Sequence, residues 1–341
     1  MRIIVSCLAG LLIGGALVVA PVQALTIEQN AVFVRVIDVG PGLAIVVRMP
    51  GDFYMVYDAG HWAGGGSAAF KGVKSVIPDD EEIDLMVLSH SDADHLAAVD
   101  EILDQWKVKK IIRSGYKRTT GTWITADNAI KVSKEENKTL DINLRYFEFP
   151  PGATYRFGDT YVTMVSGFHK PPEDWDIKNK SEERNAGSIV IRLQFAGKAV
   201  LFTGDAVGRH IGDPPNALIA SEKFMVDNAS VIPIRADVLL APHHGADNGS
   251  STAFISAVDP TFVIFSAGHD HEHPRAAAAQ RYIDHGILLE NMFRTDLGDD
   301  EGGKEWDFGR IDGRTDPPRD DDIDILIRPD GEVLVEYRHA D

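Results

Sequence analysis

The segment His90-Ser91-Asp92-Ala93-Asp94-His95 is the most informative part of the chain, because it places four metal-capable side chains within six residues. The preceding segment, 83–89, has the apolar run of a buried β-strand bounded by acidic residues. The following segment, 96–106, carries apolar residues at helical spacing. The stretch is therefore predicted to lie on a strand-to-helix loop, where α/β folds place ligands and chemistry.

The spacing within this loop predicts how its side chains divide between metals. Residues two apart in an extended segment point the same way, so His90 and Asp92 are expected on one metal, with Asp94 and His95 turned toward a second. Imidazole nitrogen mixed with carboxylate oxygen suits Zn²⁺ or Mn²⁺. The alternative is a solvated polar loop that contains two histidines.

The N-terminus has the pattern of a signal peptide over residues 1–24. Arg2 supplies the positive charge, residues 8–20 form a short apolar run, and Val22-Gln23-Ala24 resembles a cleavage site. We expect cleavage after Ala24 and export, to the periplasm or the medium; the alternative is an uncleaved membrane anchor. No later apolar run is long enough to predict a membrane span.

Cysteine content and charge narrow the chemistry. The single cysteine, Cys7, lies inside the predicted signal peptide, so the mature chain has no thiol and any metal site must use His, Asp and Glu. The net charge of −18 repels nucleic acid and anionic membranes at long range. That field opposes a long duplex substrate and leaves short or single-stranded ones open.

The order of predicted elements indicates the fold class. Hairpin-rich strands (31–37, 43–49 and 53–57) are followed by βα units, and the same succession repeats after residue 187. Residues 115–187 are poorly patterned apart from a hairpin near 154–165. The doubled pattern predicts an α/β protein with two mixed sheets packed face to face and helices outside, in one domain over residues 25–341.

Three further clusters of metal-capable side chains each follow a predicted strand. They are Thr203-Gly204-Asp205, Pro242-His243-His244-Gly245, and the segment 269–274 with His269, His271 and His273. Taken singly, each has a plainer interpretation, as a turn or helix-capping aspartate or as a surface loop. Their shared position at strand ends predicts that they converge with the His90–His95 loop.

These motifs resemble the metallo-β-lactamase fold superfamily, an αββα sandwich with a dinuclear metal site at one edge of its sheets. The superfamily signature is H-x-H-x-D-H, and Asp92 changes it here to H-x-D-x-D-H, which is similar to the ComEC-like hydrolase branch of DNA-uptake competence proteins. Further segments resemble that branch: Asp58-Ala59-Gly60, Asn185-x-x-Ser188 and Arg294-Thr295-Asp296.

The resemblance implies a role for each motif residue. It implies one or two Zn²⁺ ions, or Mn²⁺, held by the following groups: His90 and Asp92 on the first metal, Asp94 and His95 on the second, Asp205 between them, and His271, or alternatively His273, as the last ligand. Where other members have a third-motif histidine, this chain has only Asn185 and Ser188, which are expected to contact substrate. That departure predicts a weaker hold on the first metal.

The implied activity is metal-assisted hydrolysis. Asp94 or Asp205 is expected to orient water, and His243 or His244 to donate a hydrogen bond to a developing oxyanion or leaving group. A carboxylate-rich, thiol-free site favours a phosphodiester in a small or oligomeric substrate, with short or single-stranded nucleic acid included. The alternatives are hydrolysis of a lactam, lactone or thioester, and a non-catalytic binding protein with a degenerate site.

Overall fold

The computed structural model describes residues 25–61, 68–147, 150–297, 303–306 and 321–339. The predicted signal peptide, residues 1–24, lies outside the described residues. Within these ranges, no helix combines the length and the apolar character needed to cross a bilayer.

The first sheet has eight strands in the order β15-β14-β1-β2-β3-β4-β5-β6. Neighbours are antiparallel from β15 to β3 and parallel from β3 to β6. The strands are β1 (Val32–Val36), β2 (Ala44–Met49), β3 (Phe53–Ala59), β4 (Leu85–Leu88), β5 (Lys110–Arg113), β6 (Leu140–Asn143), β14 (Asp321–Ile327) and β15 (Val333–His339).

The second sheet has seven strands in the order β13-β12-β11-β10-β9-β8-β7. Neighbours are parallel from β13 to β10 and antiparallel from β10 to β7. The strands are β7 (Thr154–Phe157), β8 (Thr160–Ser166), β9 (Val190–Phe195), β10 (Lys198–Phe202), β11 (Val238–Leu240), β12 (Phe262–Phe265) and β13 (Met292–Arg294).

Helices cover the outer face of each sheet. They are α1 (Ala68–Lys74), α2 (Ala93–Leu96), α3 (Val99–Gln105), α4 (Gly121–Glu136), α5 (Lys180–Ala186), α6 (Ala220–Asp227), α7 (Thr252–Val258) and α8 (Ala276–His285). One apolar cluster lies between the two sheets, a second packs α1, α3 and α4 on the first sheet, and a third packs α6, α7 and α8 on the second. The predicted αββα sandwich of two mixed sheets is confirmed.

Several helical predictions differ from the structure, and α1 and α5 were not predicted. The segment 96–106, expected as one helix, is interrupted between α2 and α3, where the Ala98 N–H donates to the Ala59 carbonyl at 2.8 Å. The helix α4 was not predicted, because its buried stripe is thin. Only Ala126, Ile130 and Ser133 are buried, while Ile124 and Val132 point to solvent and weaken the amphipathic pattern.

The parallel halves of the two sheets position the candidate site. The carboxyl ends of parallel strands meet at one edge, so the loops after β4 and β5 emerge together, as do those after β10 and β11. Two hydrogen bonds join the sheets beside this edge. The Tyr57 hydroxyl donates to the Ile189 carbonyl at 2.7 Å, and the Ile189 N–H donates to the Ser89 carbonyl at 2.9 Å.

Candidate metal centre

Four side chains from three strand ends converge on one point, and we call them the metal centre: Asp94, His95, Asp205 and His244. One ligand atom from each lies within 4.8 Å of all the others. His95 Nε2 is 3.2 Å from both His244 Nε2 and Asp205 Oδ1, and Asp94 Oδ2 is 3.8 Å from both imidazole nitrogens. Two nitrogen and two oxygen donors form the set that suits zinc.

Hydrogen bonds on the far side of each imidazole ring leave its Nε2 free to bind a cation. His95 Nδ1 donates to Asp58 Oδ2 at 2.8 Å, and His244 Nδ1 donates to the Ser266 carbonyl at 2.7 Å. In the neutral tautomers that these bonds select, both Nε2 atoms carry lone pairs and face each other. Asp205 Oδ1 is buried beside them without a hydrogen-bond partner. The residues therefore fit a divalent cation.

The electrostatic field at this point also favours positive charge. Burial alone would lower the pKa of His95, but the carboxylates of Asp205, Asp58 and Asp94 raise it well above its usual value. Burial would raise the pKa of Asp205, but the surrounding histidines, led by His95, hold it well below its usual range. The three carboxyl groups gathered around these imidazoles would be balanced by a dication at the centre.

Asp58 orients the centre from behind, a role that the sequence did not suggest. It is fully buried at the end of β3, with a φ of 55°. Besides His95, it accepts hydrogen bonds of 2.6 Å from the backbone N–H and the hydroxyl of Ser89. A carboxylate that fixes a ligand histidine in this way raises its basicity and sets its tautomer. The available signal was Asp58-Ala59-Gly60 directly after an apolar strand.

The last member of the centre is His244, whereas the sequence placed it over the substrate and expected His271 or His273 as the ligand. His271 is exposed. The His273 ring stacks on His244 at 6.2 Å between centroids, at the rim of the centre. His243 and His244 both have left-handed backbone, with φ of 50° and 57°. This uncommon conformation turns the chain sharply after β11, so that His244 faces the centre.

A second donor set faces the other oxygen of Asp205. Asp205 Oδ2 lies 3.6 Å from His90 Nε2 and 3.5 Å from His243 Nε2. His90 is buried, its Nδ1 contacts the Ser89 hydroxyl at 3.0 Å, and its Nε2 has no hydrogen-bond partner. Asp205 therefore lies between two groups of donors, one facing each carboxylate oxygen.

Asp92 lies apart from these donors, in contrast to its expected place beside His90. Its carboxylate accepts hydrogen bonds from Arg184 at 2.6 and 3.1 Å and from Arg118. Burial would raise the pKa of Asp92, but His90 and the two arginines lower it. Bidentate guanidinium–carboxylate pairs are strong, so the two arginines hold this side chain in place.

The two residues expected to touch substrate have different placements. Asn185 Nδ2 contacts His243 Nε2 at 3.2 Å, beside a cavity of about 320 Å³ that His243 also lines. Ser188 is instead fully buried, and its Oγ accepts the Asp205 backbone N–H at 3.1 Å. Ser188 therefore supports the bridging aspartate from behind, because no surface around it is open to a substrate.

Comparison with known proteins identifies relatives of this chain. The chain is 25% identical over 296 residues to the competence protein ComA of Neisseria gonorrhoeae, covering 83% of this chain and 33% of that protein. It is also 25% identical over 230 residues to ComE operon protein 3 of Bacillus subtilis (strain 168), covering 66% of this chain and 24% of that protein. The chain thus spans only a quarter to a third of these relatives' length.

Solved structures and a family model complete the comparison. CmlA, a diiron β-hydroxylase from Streptomyces venezuelae, matches 79% of this chain and 53% of its own, with 15% identity and a TM-score of 0.45. The family model described as the metallo-beta-lactamase superfamily matches residues 37–269, which is more than half of the chain. The chain therefore belongs to the metallo-β-lactamase superfamily.

Proposed function

We propose that this protein is a metal-dependent hydrolase of phosphodiesters. The observation that carries the proposal is the pair of imidazole Nε2 atoms, 3.2 Å apart and flanked by two carboxylates, at the carboxyl ends of strands from both sheets. The substrate is small or oligomeric, short or single-stranded nucleic acid included, because the net charge of −18 opposes a long duplex.

The proposed cofactor is Zn²⁺ at Asp94, His95, Asp205 and His244, with Mn²⁺ as the alternative because half of the donors are carboxylate oxygens. The chemistry that such a cation supplies when bound is Lewis acidity, which makes water acidic enough to lose a proton near neutral pH.

The chain's own residues then orient water and handle protons. Asp94 is the most exposed member of the centre, at 21% against 7% or less for the others, so its carboxylate can accept a hydrogen bond from water at the opening. His243 Nδ1 donates to Asn248 Oδ1 at 2.7 Å, which directs Nε2 toward the cavity. His243 can take up a second proton on Nε2 and pass it to the leaving oxygen.

The catalytic proposal is tested with purified protein loaded with Zn²⁺ or Mn²⁺. We expect cleavage of bis-p-nitrophenyl phosphate and of a single-stranded oligonucleotide, with activity lost in Asp205→Asn and reduced in Asp94→Ala. Turnover of nitrocefin or a lactone without phosphodiester cleavage would support the carbon-centred alternative. Fewer than one ion per chain together with no turnover would indicate a non-catalytic binding protein.

We also propose that residues 1–24 direct export and are removed, so that the mature protein begins at Leu25. The support is the charge, apolar run and small-residue site described above. Mass spectrometry of the protein from its native host tests this directly. A mature mass that starts at Leu25, recovered outside the cytoplasm, is the expected result. Intact Met1 in the membrane fraction would identify an uncleaved anchor instead.

A further inference from the structure

Asp92 is held by two guanidinium groups that come from different elements. Arg184, on α5, donates from Nε to Oδ1 at 2.6 Å and from Nη2 to Oδ2 at 3.1 Å. Arg118, in the loop after β5, donates from Nη1 to the same Oδ1. The cluster of Asp92, Arg118 and Arg184, which we call the arginine clamp, carries two positive charges against one negative charge.

The arginine clamp lies beside the second donor set of His90, Asp205 and His243. His90 is two residues before Asp92 in the same loop. Arg184 interacts electrostatically with Asp94. Asp205 is shared with the metal centre, so only two imidazoles belong to the second donor set alone. Asp92 lies in the same loop as His90 and does not belong to the metal centre, so its carboxylate is a candidate to complete the set.

The second donor set is deficient in two respects. His243 Nε2 already contacts the Asn185 amide nitrogen at 3.2 Å, so its lone pair is engaged. The nearby guanidinium groups also repel a second dication, because like charges in a poorly solvated region interact strongly. The metal centre, by contrast, has four converging donors and excess negative charge.

We propose that the arginine clamp holds Asp92 away from the second donor set, so that the protein binds one cation tightly and a second only weakly. This inference rests on the metal centre of the proposed function. Release of Asp92 would add a carboxylate to His90, Asp205 and His243 and would remove the local excess of positive charge. The arginines are therefore determinants of metal stoichiometry.

The test is a metal titration that needs no catalytic turnover. Apoprotein is titrated with Co²⁺ and with Zn²⁺ against a competing chelator, and bound metal is counted by mass spectrometry. We expect one tight equivalent in the wild type. In the double variant Arg118→Gln/Arg184→Gln we expect the second equivalent to bind at least about ten-fold more tightly than in the wild type. Replacing a group that contacts a metal ligand changes metal affinity by about a factor of ten or more.

Two control variants separate the clamp from a general change of charge. Arg145→Gln removes an exposed cation from the loop after β6 and should leave the stoichiometry unchanged. Asp92→Asn added to the double variant should abolish the gain, because the released ligand is then missing. Arg118→Gln alone leaves the Arg184 contacts to α5 in place, so it keeps the fold and should show a smaller gain in the same direction.

The outcomes distinguish this inference from the proposed function. Two equally tight ions in the wild type, or no gain in either arginine variant, would overturn the role of the clamp while leaving the metal centre intact. An equal gain in Arg145→Gln would also overturn it. Failure of every variant to bind a first ion would overturn both the clamp and the hydrolase proposal.

Discussion

At the residue scale, hydrogen bonds made away from the cation decide what the metal centre can hold. The Asp58 carboxylate and the Ser266 carbonyl each accept a hydrogen bond from Nδ1 of a ligand histidine. That leaves Nε2 of His95 and His244 as acceptors that point at each other. The binding property thus depends on two residues that contribute no ligand atom.

Asp58→Asn is expected to weaken metal binding by about 10- to 100-fold, the usual effect of losing such a supporting carboxylate. The amide cannot accept from His95 Nδ1 and from both Ser89 donors as the carboxylate does. Competition with a chromophoric chelator measures the dissociation constant. Asp176→Asn, at an exposed surface ion pair, is the control. Equal affinities in Asp58→Asn and the wild type would contradict the assigned role.

The raised pKa of Glu222 should make the free energy of unfolding depend on pH, independently of the metal centre. Burial raises its pKa to about 7, although the Ser250 and Ser251 N–H groups donate to it at 2.6 and 2.9 Å. Between about pH 4.5 and 7 the folded state therefore binds more protons than the unfolded state, and stability falls as pH rises through that window.

Glu222→Gln removes this titration. Relative to that variant, the wild type should lose up to about 3 kcal/mol of unfolding free energy between pH 4.5 and 7, since each unit of pKa shift is worth about 1.4 kcal/mol. Urea unfolding of both proteins at several pH values measures the difference. Metal binding changes the unfolding free energy of both proteins equally, so it does not contribute to the difference between them. A constant difference, or a relative gain for the wild type, would show that Glu222 is ionised throughout.

At the element scale, the strand ends and their loops place the ligands. The loop His90–His95 lies directly on the end of β3. A Cβ atom built on Gly60 would come within 1.5 Å of the Asp94 carbonyl oxygen and 2.8 Å of the His95 nitrogen. These are backbone atoms, so the contact cannot be relieved by rotating a side chain. Because residue 60 has no side chain, the backbone of α2 at Asp94 and His95 can pack directly against it.

Gly60→Ala should therefore displace Asp94 and His95 and lower metal affinity by at least about ten-fold, while costing a few kcal/mol of stability, as overpacking does. Gly121→Ala is the matched control, because nothing lies within 4 Å of its Cβ position and alanine favours the helix α4. Metal titration and thermal unfolding of the two variants test this. Full metal affinity in Gly60→Ala would mean that the loop adjusts without cost.

The strands were predicted better than the helices, and α4 shows why. Central strands of a two-sheet sandwich are buried on both faces, so β1 and β2 appear in the sequence as apolar runs that a single arginine interrupts in each. The helix α4 buries only a narrow stripe and exposes Ile124 and Val132, so its sequence lacks helical periodicity. Its start depends on Thr120, whose side chain accepts the Trp123 N–H.

At the scale of the whole molecule, the metal centre joins the two sheets. Asp94 and His95 follow β4 of the first sheet, whereas Asp205 and His244 follow β10 and β11 of the second. A cation bound by all four therefore exists only when the sheets are packed together. Binding to the folded state alone must stabilise the whole sandwich.

Added Zn²⁺ should accordingly raise the unfolding free energy by about 2.7 kcal/mol when free metal reaches 100 times its dissociation constant. Calorimetry at buffered metal concentrations, with a chelator at the low end, measures the shift in melting temperature. Asp205→Asn removes a shared ligand and should show little dependence on metal. If the melting temperature of the wild type does not change with metal concentration, the four donors do not bind one ion together.

The fold class, the positions of the long strands and three of the four residues of the metal centre were predictable from the sequence, because apolar runs and strand-end motifs are local signals. The folded chain was needed to find that His244 joins the metal centre in place of His271, that Asp58 supports it, and that Arg118 and Arg184 bind Asp92. Each of these assignments depends on which side chains of the converging loops face one another, and spacing along the chain does not specify that orientation.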